Sequence, residues 1–375
     1  QHSERERLRL EALTREQNER LQELNASLEQ RVRDRTAELE QTADMLDLAY
    51  AELRKSYVTA TEVFANLVGQ RLSKEQQTNT QVIAGEWNGE ISKLIAMNDT
   101  KTVTWDVLDT EDTDRARGCE EGLFEKLDYE RLGTPGDWIE GTKSDDGCGV
   151  GIFVWSNVLA YNADKLKVAP TGWADFWDVK KFPGKRSLRK SARGSLEFAL
   201  MADGVPPAEV YKLLSTKEGV DRAFKKLDEI KPYIQWWEAG AQPPQYLVAG
   251  DVVMASSYNG RIHAAQQSGS NLKIVWNQNL YQFDEWAIPR GTKNLDKAYD
   301  FIKFAMQPEQ QKLYTEQMAY GPSNTKAAAM LDKSLADDLP TAAENNKNAL
   351  RVDVDFWLEN AETLEQKFNA WASKT

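Results

Sequence analysis

Apolar residues recur at a spacing of seven along the first part of the chain, as they do in coiled coils. Proline is absent before Leu72 and glycine occurs there only at Gly69, so little in this segment would interrupt a long helix. Upstream of Thr36 the heptad register shifts. One seam position of the heptad is occupied by Val32, Leu39, Leu46, Leu53, Ala60 and Leu67. The other is occupied by Thr36, Ala43, Tyr50, Tyr57 and Phe64. The leucines upstream of the shift are Leu21, Leu24 and Leu28. We predict a coiled-coil helix over residues 1–72 that pairs with a second copy. The alternative is a single solvated helix packed on the next domain.

The pattern changes after a junction at residues 73–84. Short apolar runs predict β-strands at Val103–Leu108, Ile152–Trp155 and Asp251–Ala255. Between them, apolar positions recur at helical spacing over residues 219–230, ahead of Pro232, and over residues 298–305, ahead of Pro308. Alternating strands and helices predict an α/β domain over residues 85–375, with a mostly parallel sheet.

Composition narrows the possible functions. The chain has 47 basic and 59 acidic residues and a net charge of −12, which argues against nucleic acid as the main partner. No apolar run is long enough to span a bilayer. No signal-peptide pattern opens the chain, which begins at Gln1, as expected of a fragment or a processed form. Cys119 and Cys148 can pair in an oxidising compartment or remain unrelated thiols. With only two histidines, a histidine-based catalytic or metal site is not expected.

A series of motifs in the second segment resembles the solute-binding proteins of bacterial polyamine-type ABC transporters. In chain order they are Trp105-Asp106-Val107; Leu159-Ala160-Tyr161-Asn162; Trp173-Ala174-Asp175-Phe176-Trp177 with Phe182-Pro183-Gly184; Ala249-Gly250-Asp251 leading to Tyr258-Asn259-Gly260; Phe283-Asp284-Glu285-Trp286; and Ala319-Tyr320-Gly321-Pro322. Each motif alone is weak, but their order over nearly the whole segment is specific.

The resemblance implies a two-lobed periplasmic-binding-protein fold (type II) that closes on its ligand. It implies lobe 1 at about 85–156 and 285–320, lobe 2 at about 157–284, and C-terminal helices over 321–375. It further implies a periplasmic binding protein rather than an enzyme, no cofactor, and an ABC permease with its ATPase as partners.

One departure from the family concerns the N-terminus. Family members begin with a strand–helix unit before the segment found here at Gly85–Gly89, and here the coiled coil takes its place. The run from Leu28 to Leu39 resembles connector helices of two-component signalling proteins. We therefore expect a fold that lacks its first unit, in either a chimeric sequence or an unusual fusion. The alternative function is a signalling fusion in which the coil couples solute binding to dimer geometry.

The resemblance also suggests the ligand-binding residues. Asp284 is the candidate counter-ion for an amine, and Tyr258 and Tyr320 match positions that wall the ligand. Trp105 or Asp109 lies near the cleft end of its strand. For each aromatic residue the competing interpretation is plain core packing, and for Asp284 it is a solvated turn.

A second departure lies after the Gly184 turn, where polyamine binders supply acids. This chain has three bases there instead, including Arg189 and Arg193. Arginine makes paired hydrogen bonds to carboxylates, so a zwitterion such as a γ-amino acid would fit as well as a polyamine. The alternative is that these bases are surface charge. Glu238 is a further candidate amine partner. An enzyme is disfavoured because the glycines of 147–151 lack phosphate-loop spacing.

Overall fold

The computed structural model describes residues 4, 15, 17, 20–33, 35–36, 80–85 and 91–374 of the chain. The chain divides into two compact units, Gln1–Thr61 and Glu62–Thr375. No helix among the described residues has the length and apolar character needed to cross a bilayer.

In the first unit, residues 20–33 and 35–36 are helical. Their spacing of three and four places Leu21, Leu24, Leu28 and Val32 on one side of the helix, and each is more than half exposed. The predicted seam from Leu39 to Leu67 lies outside the described residues, as does most of the predicted junction. The coiled coil therefore remains a prediction.

The second unit combines a mixed sheet with many helices. Its helices are α1 (Ile91–Asp99), α2 (Asp112–Glu120), α3 (Trp173–Trp177), α4 (Ala192–Ala202), α5 (Val210–Leu214), α6 (Lys217–Ile230), α7 (Gln242–Ala249), α8 (Asn259–Gln267), α9 (Leu295–Ala305), α10 (Pro308–Met318), α11 (Thr325–Ala329), α12 (Lys333–Ala336), α13 (Ala343–Asn346) and α14 (Val354–Ala372). Its strands are β1 (Leu108–Glu111), β2 (Val150–Asn162), β3 (Arg186–Arg189), β4 (Ile234–Trp237), β5 (Met254–Tyr258), β6 (Leu272–Ala287), β7 (Gly321–Pro322) and β8 (Leu350–Arg351).

The strands run in the order β1-β6-β2-β5-β3-β4, with β7 beside β2 and β8 beside β6. The prediction of a mostly parallel sheet is wrong. The long strands β2 and β6 are antiparallel to each other, and β1, β5 and β7 join them antiparallel as well. Parallel pairing is confined to β3 with β4 and β5, and to β6 with β8. The sheet is mixed because its two longest strands, β2 and β6, run in opposite directions and pair with each other.

Most predicted elements are confirmed, with shifted ends. Ile152–Trp155 lies inside β2, and the helix predicted over 219–230 is α6, where the Thr216 side chain caps the first turn. The strand predicted at Val103–Leu108 overlaps β1 only at Leu108. Its partner β6 ends at Ala287, opposite Leu108, so the preceding residues have no strand to pair with. The strand predicted from Asp251 likewise begins only at Met254.

Two large hydrophobic cores lie at opposite ends of β2 and β6, and they define the two lobes. The first core includes Val150 and Phe153 of β2 and Trp286 of β6, packed with α9 and α10. The second core includes Leu159 of β2 and Leu280 of β6, packed with α3, α4, α6 and α14. The long strands therefore connect the lobes, as the resemblance implies.

A disulfide joins Cys119 in α2 to Cys148 in the loop before β2. Both sulfur-bearing residues belong to a small cluster with Leu108 and Phe124, which anchors α2 beside β1. The two cysteines are 29 positions apart in the sequence, and closing the loop between them restricts the unfolded chain.

Reduction of this disulfide should lower the free energy of unfolding by about 3–4 kcal/mol, the chain-entropy expectation for a loop of this size. Urea unfolding with and without reductant measures the difference. The double variant Cys119→Ser/Cys148→Ser should unfold at the same urea concentration as the reduced protein, and reductant should not change its midpoint. An oxidised protein whose urea midpoint is unchanged by reductant would contradict the prediction.

Candidate functional site

The pairing of β1, β6 and β2 collects acidic and aromatic side chains on one face of the sheet. Glu111 lies opposite Asp284, and Asp109 lies opposite Trp286. Opposed residues of antiparallel strands project to the same side, and every second residue shares that side. On β2, Phe153 lies opposite Asp284 and Trp155 opposite Gln282. We call the surface formed by Asp109, Glu111, Phe153, Trp155, Gln282 and Asp284 the carboxylate face.

Two aspartates of the carboxylate face lack a full set of partners. The Trp155 indole N–H donates to Oδ1 of Asp284 at 2.8 Å. Oδ1 of Asp109 is buried and accepts no hydrogen bond from the described residues. Burial, then the charge of Glu111, raises the pKa of Asp109 to about 7. Burial, then the charges of Asp109 and Glu111, raises the pKa of Asp284 well above its usual range. The two side chains are nevertheless partly accessible to solvent, so an incoming solute can reach them.

Glu111 has a charged partner from the other lobe. Arg193, at the start of α4, donates to the Glu111 carboxylate at 2.8 Å and to the Thr113 hydroxyl at 2.8 Å. Burial raises the pKa of Glu111, but Arg193, a hydrogen bond from Gln282 and the charge of Arg189 outweigh it, and the net shift is downward. Because α4 belongs to the second core and β1 lies beside the first, this ion pair links the two lobes.

Aromatic rings border the carboxylate face. Tyr258 meets Trp155 edge-on, with ring centroids 5.0 Å apart, and Tyr320 stacks on Phe153 at 5.1 Å. Gly260 permits this packing, since a β-carbon there would lie 2.7 Å from the Tyr320 ring. Burial raises the pKa of both tyrosines, so their hydroxyls stay neutral at ordinary pH.

Guanidinium groups approach the same tyrosine. The charge of Arg189 acts most strongly on Tyr258 among its neighbours, followed by Glu111, Arg193 and Arg261. Arg189 also lies over the Trp237 ring, 5.9 Å from its centroid. A β-carbon at Gly240 would be 2.9 Å from the Tyr258 ring and 3.8 Å from Nε of Arg261, which places Arg261 beside that ring. The site therefore has an acidic end at Asp109 and Asp284 and a basic end near Tyr258.

The opposite face of the sheet holds a separate polar cluster. Arg115 donates to Glu285 at 2.5 Å and pairs with Asp146. Asp112, fully buried at the start of α2, has its pKa raised to about 7 by burial and by the charge of Glu285. This cluster ties α2 to β6 behind the carboxylate face and fixes the strand that carries Asp284.

Comparisons with known proteins agree with this geometry. Residues 70–344 match the bacterial extracellular solute-binding protein family. The chain belongs to this solute-binding family. It is 53% identical over 300 residues to a γ-aminobutyric acid-binding protein of Pseudomonas aeruginosa, covering 80% of this chain and 85% of the relative. It is 25% identical over 225 residues to a spermidine/putrescine-binding periplasmic protein of Salmonella typhimurium, covering 58% of this chain and 63% of that one.

Solved structures show the same fold. A structure described as a GABA receptor superposes with a TM-score of 0.74 at 32% identity, covering 84% of this chain and 95% of the other. The binding protein MotA from A. tumefaciens B6, in complex with glucopine, superposes with a TM-score of 0.71 at 29% identity, with coverage of 84% and 96%. The periplasmic-binding-protein fold implied by the resemblance is confirmed, and the family is one of binding proteins, not enzymes.

The solute-binding fold brings together most of the candidate residues. Asp109 and Asp284 lie on the carboxylate face, and Tyr258 and Tyr320 border it. Arg189 lies near Tyr258, whereas Arg193 is engaged with Glu111.

Two candidates lie elsewhere. Trp105 packs against the cluster of Leu108 and Phe124, on the side away from Asp109. Glu238 is exposed and pairs with Lys190 at 3.4 Å.

Besides Phe153 and Gln282 of the carboxylate face, three residues of the site were not among the candidates from the sequence. Glu111 follows Asp109 by two positions, and strand alternation alone would have placed both on one face. Trp155 lies in a predicted strand, but only the register shows it opposite Gln282, beside Asp284. Arg261 directly follows the Tyr258-Asn259-Gly260 motif. Its position beside the Tyr258 ring is evident only from the structure, where both groups lie close to Gly240.

Asp109→Asn should make the ligand-free protein more stable at alkaline pH. The raised folded-state pKa means that Asp109 binds its proton more strongly in the folded protein, so its contribution to stability is complete below about pH 4 and is lost as the pH rises to about 7. Asparagine does not titrate. The variant should therefore gain about 1–2 kcal/mol over the wild type at pH 8, a figure reduced for solvent screening, and nothing of that gain at pH 4.

Urea unfolding at the two pH values measures the difference. If the difference in unfolding free energy between variant and wild type does not change with pH, the ionisation of Asp109 does not destabilise the folded protein.

Proposed function

We propose that this protein binds γ-aminobutyrate, or a similar small γ-amino acid zwitterion, between its two lobes and delivers it to an ABC importer. The observation that carries the proposal is the pairing of an acidic end with a basic end beside the same aromatic rings. A zwitterion has one charge for each end. The γ-aminobutyric acid-binding relative, at 53% identity, supports the same ligand class.

The acidic end suits an ammonium group. Asp109 and Asp284 offer carboxylate oxygens, and a partly desolvated ammonium needs such partners. Tyr258 and Trp155 add ring faces and edges, and a cation over an aromatic face gains about 0.5–2 kcal/mol. We assign Asp284 as the principal counter-ion because Trp155 fixes its orientation by a hydrogen bond.

The basic end suits a carboxylate. Arg189 lies over Trp237, whose ring meets Tyr258 edge-on, and its planar guanidinium can donate two parallel hydrogen bonds. Arg193 already pairs with Glu111, so we assign it to holding the lobes together. A polyamine is the second candidate, and its support is the group of polyamine-binding relatives at 22–26% identity. Its second ammonium would face guanidinium groups, which disfavours it.

Compartment and partners follow from the family. We infer that the protein works in the periplasm and meets an ABC permease there, as extracellular solute-binding proteins do. We place the binding domain at about residues 85–375, although the family match begins at residue 70. Trp105 and Glu238 receive no direct role in this proposal, because both lie away from the carboxylate face.

We also propose that the N-terminal helix pairs with a second copy of the chain. Leu21, Leu24, Leu28 and Val32 form an exposed apolar stripe on one side of the helix, and the heptad continues through Leu67 in the sequence. A parallel coiled coil would cover that stripe. In the signalling alternative, such a helix of the two-component connector type, whether natural or chimeric, would transmit lobe closure to the dimer.

Light scattering should find a dimer at micromolar concentration. The variant Leu24→Glu/Leu28→Glu should be monomeric, because charges in the seam oppose pairing. Far-ultraviolet circular dichroism checks that the rest of the variant stays folded. A wild-type chain that remains monomeric at high micromolar concentration would rule out the pairing.

Calorimetric titration tests the ligand directly. We expect γ-aminobutyrate to bind, and putrescine to bind at least about tenfold more weakly, because one misplaced charge costs 1.4 kcal/mol or more. Asp284→Asn should weaken γ-aminobutyrate by about 30- to 300-fold, the loss expected when one partner of a partly buried charge pair is removed.

The matched control is Asp296→Asn, which removes an exposed carboxylate paired with Arg131 far from the site and should leave the affinity unchanged. Arg189→Gln should weaken γ-aminobutyrate but not putrescine, because only the former carries a carboxylate. Equal losses for both ligands would contradict the assignment of Arg189, and no binding of any amine or amino acid would contradict the proposed function.

A further inference from the structure

We propose that Asp109 and Asp284 act as one cation site, which holds a proton while the cleft is empty and exchanges it for the ammonium group of the solute. This inference rests on the proposed function and deepens it. It makes Asp109, in addition to Asp284, a residue that selects for a cationic head group, and it makes binding depend on pH.

The strand register brings the two carboxyl groups together. Asp284 lies directly opposite Glu111, and Asp109 precedes Glu111 by two residues on the same side of β1. Asp109 and Asp284 are therefore diagonal neighbours across one antiparallel ladder, within reach of each other's charge. The Asp109 charge is the strongest electrostatic influence on Asp284. Two carboxylates so placed cannot both ionise without mutual repulsion.

Hydrogen bonding leaves room for a cation at this pair. Asp284 accepts one N–H from Trp155, and Oδ1 of Asp109 is buried without an acceptor role among the described residues. A buried acceptor that is left unsatisfied costs about 1–3 kcal/mol. Either a shared proton or an ammonium group can satisfy it, since both supply a donor and a positive charge.

Other titratable and charged groups surround the pair. On β1 and α2 these are Glu111, Asp112, Asp114 and Arg115; on β6, Glu285; from the second lobe, Arg189 and Arg193; and from β5, α8 and the segment after α10, Tyr258, Arg261 and Tyr320. Arg193 pairs with Glu111, and Arg115 pairs with Glu285 on the opposite face. The acids Glu111 and Asp112 add to the repulsion at Asp284.

The titration of the pair agrees with the geometry. Burial and neighbouring acids hold the pKa of Asp109 near 7 and raise that of Asp284 well above its usual range, so the two carboxyls share about one proton at neutral pH. The proton belongs to the pair and not to one residue. When the ammonium group arrives, the pair becomes fully ionised and the proton passes to the buffer. The positive charge lost as a proton is replaced by that of the solute.

Calorimetric titration of the full chain with γ-aminobutyrate in two buffers tests the exchange. Phosphate and Tris differ widely in protonation enthalpy, so a released proton makes the observed heat differ between them. At about pH 6.5 we expect about 0.5–1 proton released per bound solute, and an affinity that rises by up to about tenfold per pH unit. Free γ-aminobutyrate is already zwitterionic at this pH, because amines of this kind titrate near about 10.4 and carboxyls near about 4.

Two variants locate the proton. Asp109→Asn should bind more weakly and release less proton per bound solute than the wild type, because Asp284 loses its strongest charged neighbour. Asp296→Asn is the control, because this exposed carboxylate pairs with Arg131 away from the carboxylate face, and its variant should still release the proton. Thermal melts establish that each variant is folded.

The outcomes separate the two proposals. Binding in both buffers with the same heat at about pH 6.5 overturns the exchange but leaves the proposed function intact. Proton release that is undiminished in Asp109→Asn, or that falls in Asp296→Asn, overturns the assignment to this pair. If equilibrium dialysis with labelled γ-aminobutyrate finds no binding, the proposed function fails, and this inference fails with it.

Discussion

The antiparallel pairing of β6 with both β1 and β2 is the constraint on which the rest of the molecule depends. It sets Asp284 opposite Glu111 on one side and opposite Phe153 on the other. The same two long strands run from the first core to the second, so they are both the connection between the lobes and the floor of the site. A shift of one residue in this register would turn the aspartates to the opposite face.

Gathering acids on that floor is unfavourable for the empty protein. Among the acids of the floor that the structure describes, Glu111 has a charged partner, Arg193, which comes from the other lobe. The structure around the floor holds these acids together against their mutual repulsion. Behind it, Arg115 pairs with Glu285 and Asp146, and the disulfide joins α2 to the loop before β2, so contacts on the opposite face oppose a separation of β1 from β6. Function here is maintained at some cost in stability, as is common at binding sites.

The family and the fold class could be predicted from the sequence, whereas features that depend on strand pairing could not. Asp284, Tyr258 and Tyr320 could be placed because they stand in recognisable motifs. The mixed sheet could not, since strand direction in this fold depends on long-range connections between β2 and β6 rather than on local alternation. The position of Trp105 also depends on strand pairing. The sequence predicts a strand through Trp105 that leads to the cleft, but β1 starts only at Leu108, where pairing with β6 begins.

Selectivity in such a site depends on the charges that remain after internal pairing. Glu111 and Arg193 neutralise each other, and one shared proton reduces the two aspartates to a single negative charge. A solute with one ammonium group restores that balance by replacing the proton. A second ammonium would have to lie toward Tyr258, where Arg189 already contributes positive charge, whereas a carboxylate placed there is attracted. The same acids that imply an amine ligand therefore favour a zwitterion once their internal partners are counted.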